Sequence, residues 1–290
     1  MEELRALMPG EHASFLEQAL QVLRADERIV GVAIGGSFVT GKLDAYSDLD
    51  LVLAIEHAYV EAVMRERKQI AARLGSLVAA FTGEHVGEPR LLICLYDAPV
   101  LHVDLKFVSL NDVAERVEDP AILWERQEKL SAMLRTQEAA FPMPDLQWIE
   151  ERFWPWVHYT TTKIGRGETF EIMDCFAFLR GRVLGPLALM EAGAQPAGVR
   201  KIETRAPARA QELWKTLPAS YNSQGYIDSL YAVVDLYRSL REALRTEDLK
   251  VQREAERVAL QYLADVAGRL KAAPRSLKLQ PRNRCRKYEI

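Results

Sequence analysis

Apolar residues recur at helical spacing in EHASFLEQALQVLRA, residues 11–25, and give way to RIVGVAIGGS, where β-branched residues run into two glycines. This order predicts a helix, a strand and a tight turn. The apolar run LDLVLAI at 49–55 predicts a second strand, and HAYVEAVMRERKQIAARL at 57–74 predicts a charged helix. SLVAAF at 76–81, RLLICLY at 90–96 and VLHVDLKFV at 100–108 read as further strands, the last two joined by the turn-prone DAP at 97–99. The first half is thus expected to be α+β, with a mixed sheet of about five strands.

From about residue 111 the pattern changes to helical periodicities with no convincing strand, and the prolines of FPMPD at 141–145 interrupt any continuous helix. Helices are predicted over about 145–164, 168–193, 204–217, 223–245 and 248–271. They would form an all-α bundle. Two domains are expected, 1–140 and 141–290, and no internal repeat is visible.

Composition narrows the classes. With 49% apolar residues the chain can build a sizeable core, and Lys and Arg total 38 against 41 Asp and Glu, a net charge of −3. Such a balance lacks the basic excess of a protein that coats nucleic acid. Cys94, Cys175 and Cys285 are scattered, so neither a disulfide framework nor a structural zinc site is expected, and a reducing cytoplasm fits best. The N-terminus MEELRALMPGEHASF is acidic, and no apolar run reaches the ~18 to 20 residues of a membrane span. Secretion and membrane insertion are not expected. The tail RSLKLQPRNRCRKYEI gathers Arg275, Lys278, Arg282, Arg284, Arg286 and Lys287, which reads as a solvated terminus or as an anion or nucleic-acid contact.

The chemistry concentrates in GVAIGGSFVTGKLDAYSDLDLVLAI, residues 31–55. Gly35 and Gly36 close a strand without β-carbons, so backbone N–H groups can approach a ligand, and Ser37 adds a hydroxyl. That turn suits phosphate oxygens. Asp48 and Asp50 stand two apart at the entrance of the next strand and share a face. Adjacent like charges call for a cation, and carboxylates of this kind suit Mg²⁺ with substrate phosphates. On VLHVDLKFV, alternation places Leu101, Val103, Leu105 and Phe107 on a core face, and His102, Asp104 and Lys106 on the other. Asp104 is the third acid, although pairing with Lys106 or Lys42 would give it a purely structural role. His102 is either an orienting group for a substrate hydroxyl or an ordinary strand histidine, and Tyr46 and Ser47 flank the acids.

The glycine-glycine-serine turn, the Asp-x-Asp strand eleven positions on and the later strand aspartate together resemble the nucleotidyltransferase superfamily. That superfamily includes DNA polymerase β, kanamycin nucleotidyltransferase and the antibiotic adenylyltransferases. The resemblance covers residues 35–108. It implies a polymerase-β-like catalytic domain in which Gly36 and Ser37, with Gly35, grip a nucleoside triphosphate, Asp48 and Asp50 bind Mg²⁺, and Asp104 matches the third acid. Two Mg²⁺ ions ~3.5 to 4 Å apart, held by the three carboxylates, would respectively activate the attacking oxygen and stabilise the leaving phosphate. The all-α half resembles the helical domain of aminoglycoside and lincosamide nucleotidyltransferases, and Lys163, early in it, is the candidate for reaching the triphosphate. Trp154, Trp156 and Tyr159 read first as core aromatics and second as a stacking surface, while Asp174, Arg180 and Arg182 read as cleft-lining or salt-bridged groups.

The resemblance implies transfer of a nucleoside monophosphate, AMP from ATP, to a hydroxyl of a small acceptor such as an aminoglycoside or lincosamide. Pyrophosphate would leave, and Asp104 would serve as metal ligand, general base or both. The alternatives are a protein or RNA acceptor, or a non-catalytic, antitoxin-like nucleotide binder. Homodimers occur in this fold, but the sequence carries no interface signal.

Overall fold

The computed structural model describes residues 7–272 and divides the chain into two compact units, Met1–Pro142 and Met143–Ile290. The basic tail and Cys285 lie outside the described residues. In the first unit, helix α1 (Gly10–Ala25) precedes strands β1 (Ile29–Ile34) and β2 (Leu49–Ile55), helix α2 (Val60–Ala72) and strands β3 (Ser76–Gly83), β4 (Glu88–Asp97) and β5 (Leu101–Ser109). A sixth strand, β6 (Ala121–Glu125), and a short helix α3 (Lys129–Leu134) complete it. The absence of strands after residue 111 is thereby corrected. β6 is five residues long with no fully buried side chain, so it shows no periodicity. Arg126 just beyond it fastens the edge, its guanidinium donating to the carbonyls of Ile29 and Arg24.

The sheet order is β3-β4-β5-β2-β1-β6, with β2 and β5 parallel and the other neighbours antiparallel. Six strands replace the expected five. Apolar residues at alternate positions of β2 and β5, Leu49, Leu51, Leu53, Val103, Leu105 and Phe107, form a core with Phe15, Leu16 and Leu20 of α1 and Val63 and Ile70 of α2. The opposite face has a smaller cluster in which Val30, Ala33, Ala54, Val108 and Leu130 meet under α3. That cover lies over the far ends of β2 and β5. Asp48, Asp50, His102 and Asp104, at their near ends, stay outside both clusters.

The second unit is all-helical among its described residues: α4 (Leu146–Arg166), α5 (Thr169–Leu179), α6 (Gly185–Glu191), α7 (Ile202–Arg205), α8 (Pro207–Trp214), α9 (Ser223–Ala243) and α10 (Arg253–Ala272). Asp145 caps α4 by accepting from the Trp148 amide at 2.9 Å, and Gly167 ends the helix in the left-handed region. The single helix expected over 168–193 is instead two, joined by a π turn at Arg180–Leu184. At its centre Phe153 stacks on Tyr237 with ring centroids 3.6 Å apart, and Trp154 is buried beside them. Glu150, fully buried, accepts from Trp154 Nε1, Tyr237 Oη, the Arg241 guanidinium and the Gln252 amide. Each hydrogen bond offsets part of the cost of taking that carboxylate out of water. Among the described residues no helix is long and apolar enough to cross a membrane.

Candidate active site

Three strand ends converge because β1 runs antiparallel to β2 while β2 runs parallel to β5. The Gly35 amide donates to the Asp50 carbonyl at 2.9 Å, continuing the β1–β2 ladder into the turn. Asp50 is the register partner of Asp104 on β5. The glycine-rich turn, the β2 acids and the β5 acid are therefore neighbours through backbone pairing alone.

Gly36 has φ +61°, and a β-carbon there would stand 1.9 Å from Asp50 Oδ2. Both facts demand glycine. The Gly36 amide donates to Glu118 Oε1 at 2.6 Å, so this turn already holds an anionic oxygen, while the neighbouring Ser37 hydroxyl is buried without a hydrogen-bond partner. An orphaned hydroxyl beside an amide that binds oxyanions fits the phosphates of a nucleotide.

Asp48, His102 and Asp104 bring one ligand atom each to within 4.8 Å of one another. His102 Nε2 lies 2.9 Å from Asp104 Oδ1, close to the about 3 Å separating adjacent donors around an octahedral ion with 2.1 Å bonds. The donor set thus fits a divalent cation. The structure adds His102 to this group, whereas the Asp50 carboxylate turns towards Gly36. Lys106 bridges to Glu88 at 2.9 Å. Lys42 is in no such pair in the described structure.

Two neighbours hold the loop before β2. Asp44 Oδ1 accepts from the Tyr46 amide and the Ser47 hydroxyl, shaping a short polar turn. His12, buried on α1, bonds through Nε2 to the Ser47 carbonyl at 2.8 Å. A carbonyl only accepts, so Nε2 carries the proton. Helix α1 thereby pins the residue preceding Asp48. His12 and Glu118 had no signal in the sequence, since neither lies in a motif and each reaches the site by tertiary folding.

Lys163 belongs to the second unit. Its ammonium contacts Glu168 at 2.9 Å and Glu171 at 3.2 Å and lies over the Tyr159 ring. The hydrogen bond to Glu168, with support from Tyr159, raises its pKa above the ordinary lysine range. Trp154 is core, Trp156 is half-buried and Tyr159 is exposed with its hydroxyl on Glu171.

Residues 16–85, which include the turn, Asp48 and Asp50, match the family described as a nucleotidyltransferase domain. Residues 16–85 of the first unit carry a nucleotidyltransferase domain. A domain of this family supports nucleotidyl transfer as the activity of the chain. No curated protein sequence matches it. A crystal structure of a nucleotidyltransferase-like protein from Exiguobacterium sibiricum 255-15 is similar over 90% of each chain, at 15% identity and a TM-score of 0.35.

Proposed function

We propose that this nucleotidyltransferase moves AMP from ATP to a hydroxyl of a small molecule in a reaction that needs a divalent cation and releases pyrophosphate. The observation that carries this reading is the adjacency, on three paired strand ends, of an oxyanion-binding turn and the Asp48–His102–Asp104 donor set. The Gly36 amide and Ser37 hydroxyl would orient the phosphate oxygens, and Asp50, against the turn, would fix the turn's height relative to β2. Mg²⁺ held by Asp48 and Asp104, with His102 beside them and Asp50 on the turn side, would neutralise charge developing on the phosphates. Asp104 is the proposed acceptor of the hydroxyl proton. The His102 imidazole, hydrogen-bonded to it and open to solvent, is placed to carry that proton away.

The first unit holds 23 Asp and Glu against 14 Lys and Arg, a field that favours a cationic acceptor. An aminoglycoside is therefore the proposed acceptor class, with a lincosamide the next to test. The assay is pyrophosphate release with ATP, GTP, CTP and UTP in Mg²⁺ against a panel of both, beside Asp48→Asn. Release that depends on Asp48 and on one acceptor supports the reading. Release no greater than that of the Asp48→Asn protein with every acceptor rejects it.

A further inference from the structure

The Glu118 carboxylate sits on the two glycines of the turn. Its Oε1 accepts from the Gly36 amide at 2.6 Å, and the same oxygen lies 2.8 Å from where a β-carbon on Gly35 would stand. A side chain at Gly35 would push it away. To a backbone N–H, carboxylate and phosphate oxygens are the same kind of partner, so Glu118 fills the seat assigned above to a phosphate. It comes from the segment 113–120 between β5 and β6, 82 positions along the chain, so the contact is not a by-product of local turn geometry. Nor does it complete the seat, since the Ser37 hydroxyl stays buried and unpaired.

We propose that Glu118 is a tethered competitor of the triphosphate, which holds the empty seat and has to leave before a phosphate oxygen can bind. A group tied to the chain beside its site acts at an effective concentration on the order of millimolar. Such an internal ligand lowers nucleotide affinity by the fraction of time that it holds the seat. It therefore tunes how much nucleotide the enzyme needs, and nucleotide arrival releases the 113–120 segment from Gly36. The inference rests on the nucleotide reading of the turn.

Calorimetry with ATP, pyrophosphate and adenosine on the full chain separates the two ideas. Glu118→Ala is expected to bind ATP and pyrophosphate about 10-fold more tightly than the parent protein and adenosine no differently, with Glu118→Gln, which keeps an acceptor oxygen, in between. Hydrogen exchange on the parent protein provides a test free of any folding defect: ATP should speed exchange of the 113–120 amides. Unchanged or weaker ATP binding by both variants, or slower exchange of that segment with ATP, overturns the competitor while leaving the nucleotide reading intact. Failure of the folded parent and both variants to bind ATP or pyrophosphate overturns the nucleotide reading itself.

Discussion

Gly36→Ala and Gly41→Ala form a pair that separates backbone strain from loss of the site. Both glycines have left-handed φ, +61° and +64°, and a β-carbon at Gly41 would meet nothing within 4 Å. An alanine held at such φ costs about 1 to 2 kcal/mol, so that is the whole expected cost at Gly41. At Gly36 the new methyl would start 1.9 Å from Asp50 Oδ2 and 3.0 Å from its Cγ, so the carboxylate has to rotate away or the turn has to lift from β2. Forcing that side chain off its rotamer adds about 0.5 to 1.5 kcal/mol. Urea unfolding should therefore place Gly36→Ala below Gly41→Ala by about 1 kcal/mol. Catalysis should separate them further, because a displacement of about 1 Å in a reacting group can cost 10²-fold. Gly36→Ala is expected to lose about 100-fold in pyrophosphate release, and Gly41→Ala less than a few-fold. Equal stability losses together with equal activities would refute the claim that Asp50 and the turn are in mutual contact for a catalytic reason.

Three further outcomes follow from side chains elsewhere. His102→Asn should weaken Mn²⁺ binding about 10-fold, measured by electron paramagnetic resonance, and Mg²⁺ binding less, because an imidazole nitrogen favours Mn²⁺ over Mg²⁺ more than an amide oxygen does. Glu150→Ala leaves the Tyr237 hydroxyl without its buried partner and the Arg241 guanidinium with Glu256 alone, and should cost about 1 to 3 kcal/mol in unfolding of the second unit. The Arg90 hydrogen bonds hold the Glu88 carboxyl down at about 2, below the usual 4.5, with Lys106 adding to the effect. The folded protein thus binds fewer protons there than the unfolded chain, so this stabilisation is present above about pH 4.5 and is lost as pH falls towards 2. Glu88→Gln should flatten the loss of stability across that window in acid-titrated unfolding curves.

Elements whose side chains face one core were legible from the sequence. β2 appears over 49–55 because Leu49, Leu51 and Leu53 alternate with residues of the other face, and β5 shows the same alternation about its acids. β6 was not legible. Its partner β1 lies about 90 positions upstream, and a short edge strand without buried side chains has no period to detect. The site divides similarly: the turn and the aspartates sit in motifs with local spacing, and alternation placed His102 on the Asp104 face. Its approach to Asp48 depends on the pairing of β2 with β5, which no local pattern encodes. The anchoring of Ser47 by His12 and of Gly36 by Glu118 depends on contacts 35 and 82 residues apart.

The parallel pairing of β2 with β5 also divides the chain by its tolerance of length change. One residue inserted or deleted within 49–55 or 101–109 would turn every following side chain over, sending an aspartate into the leucine core and a leucine into the site. Between them β4 keeps a parity of its own through Leu92, Cys94 and Tyr96, but the turn that joins it to the edge strand β3 does not. The exposed turn at residues 84–87 is thus the place where this domain can lengthen, shorten or accept a graft while the chemistry stays in phase.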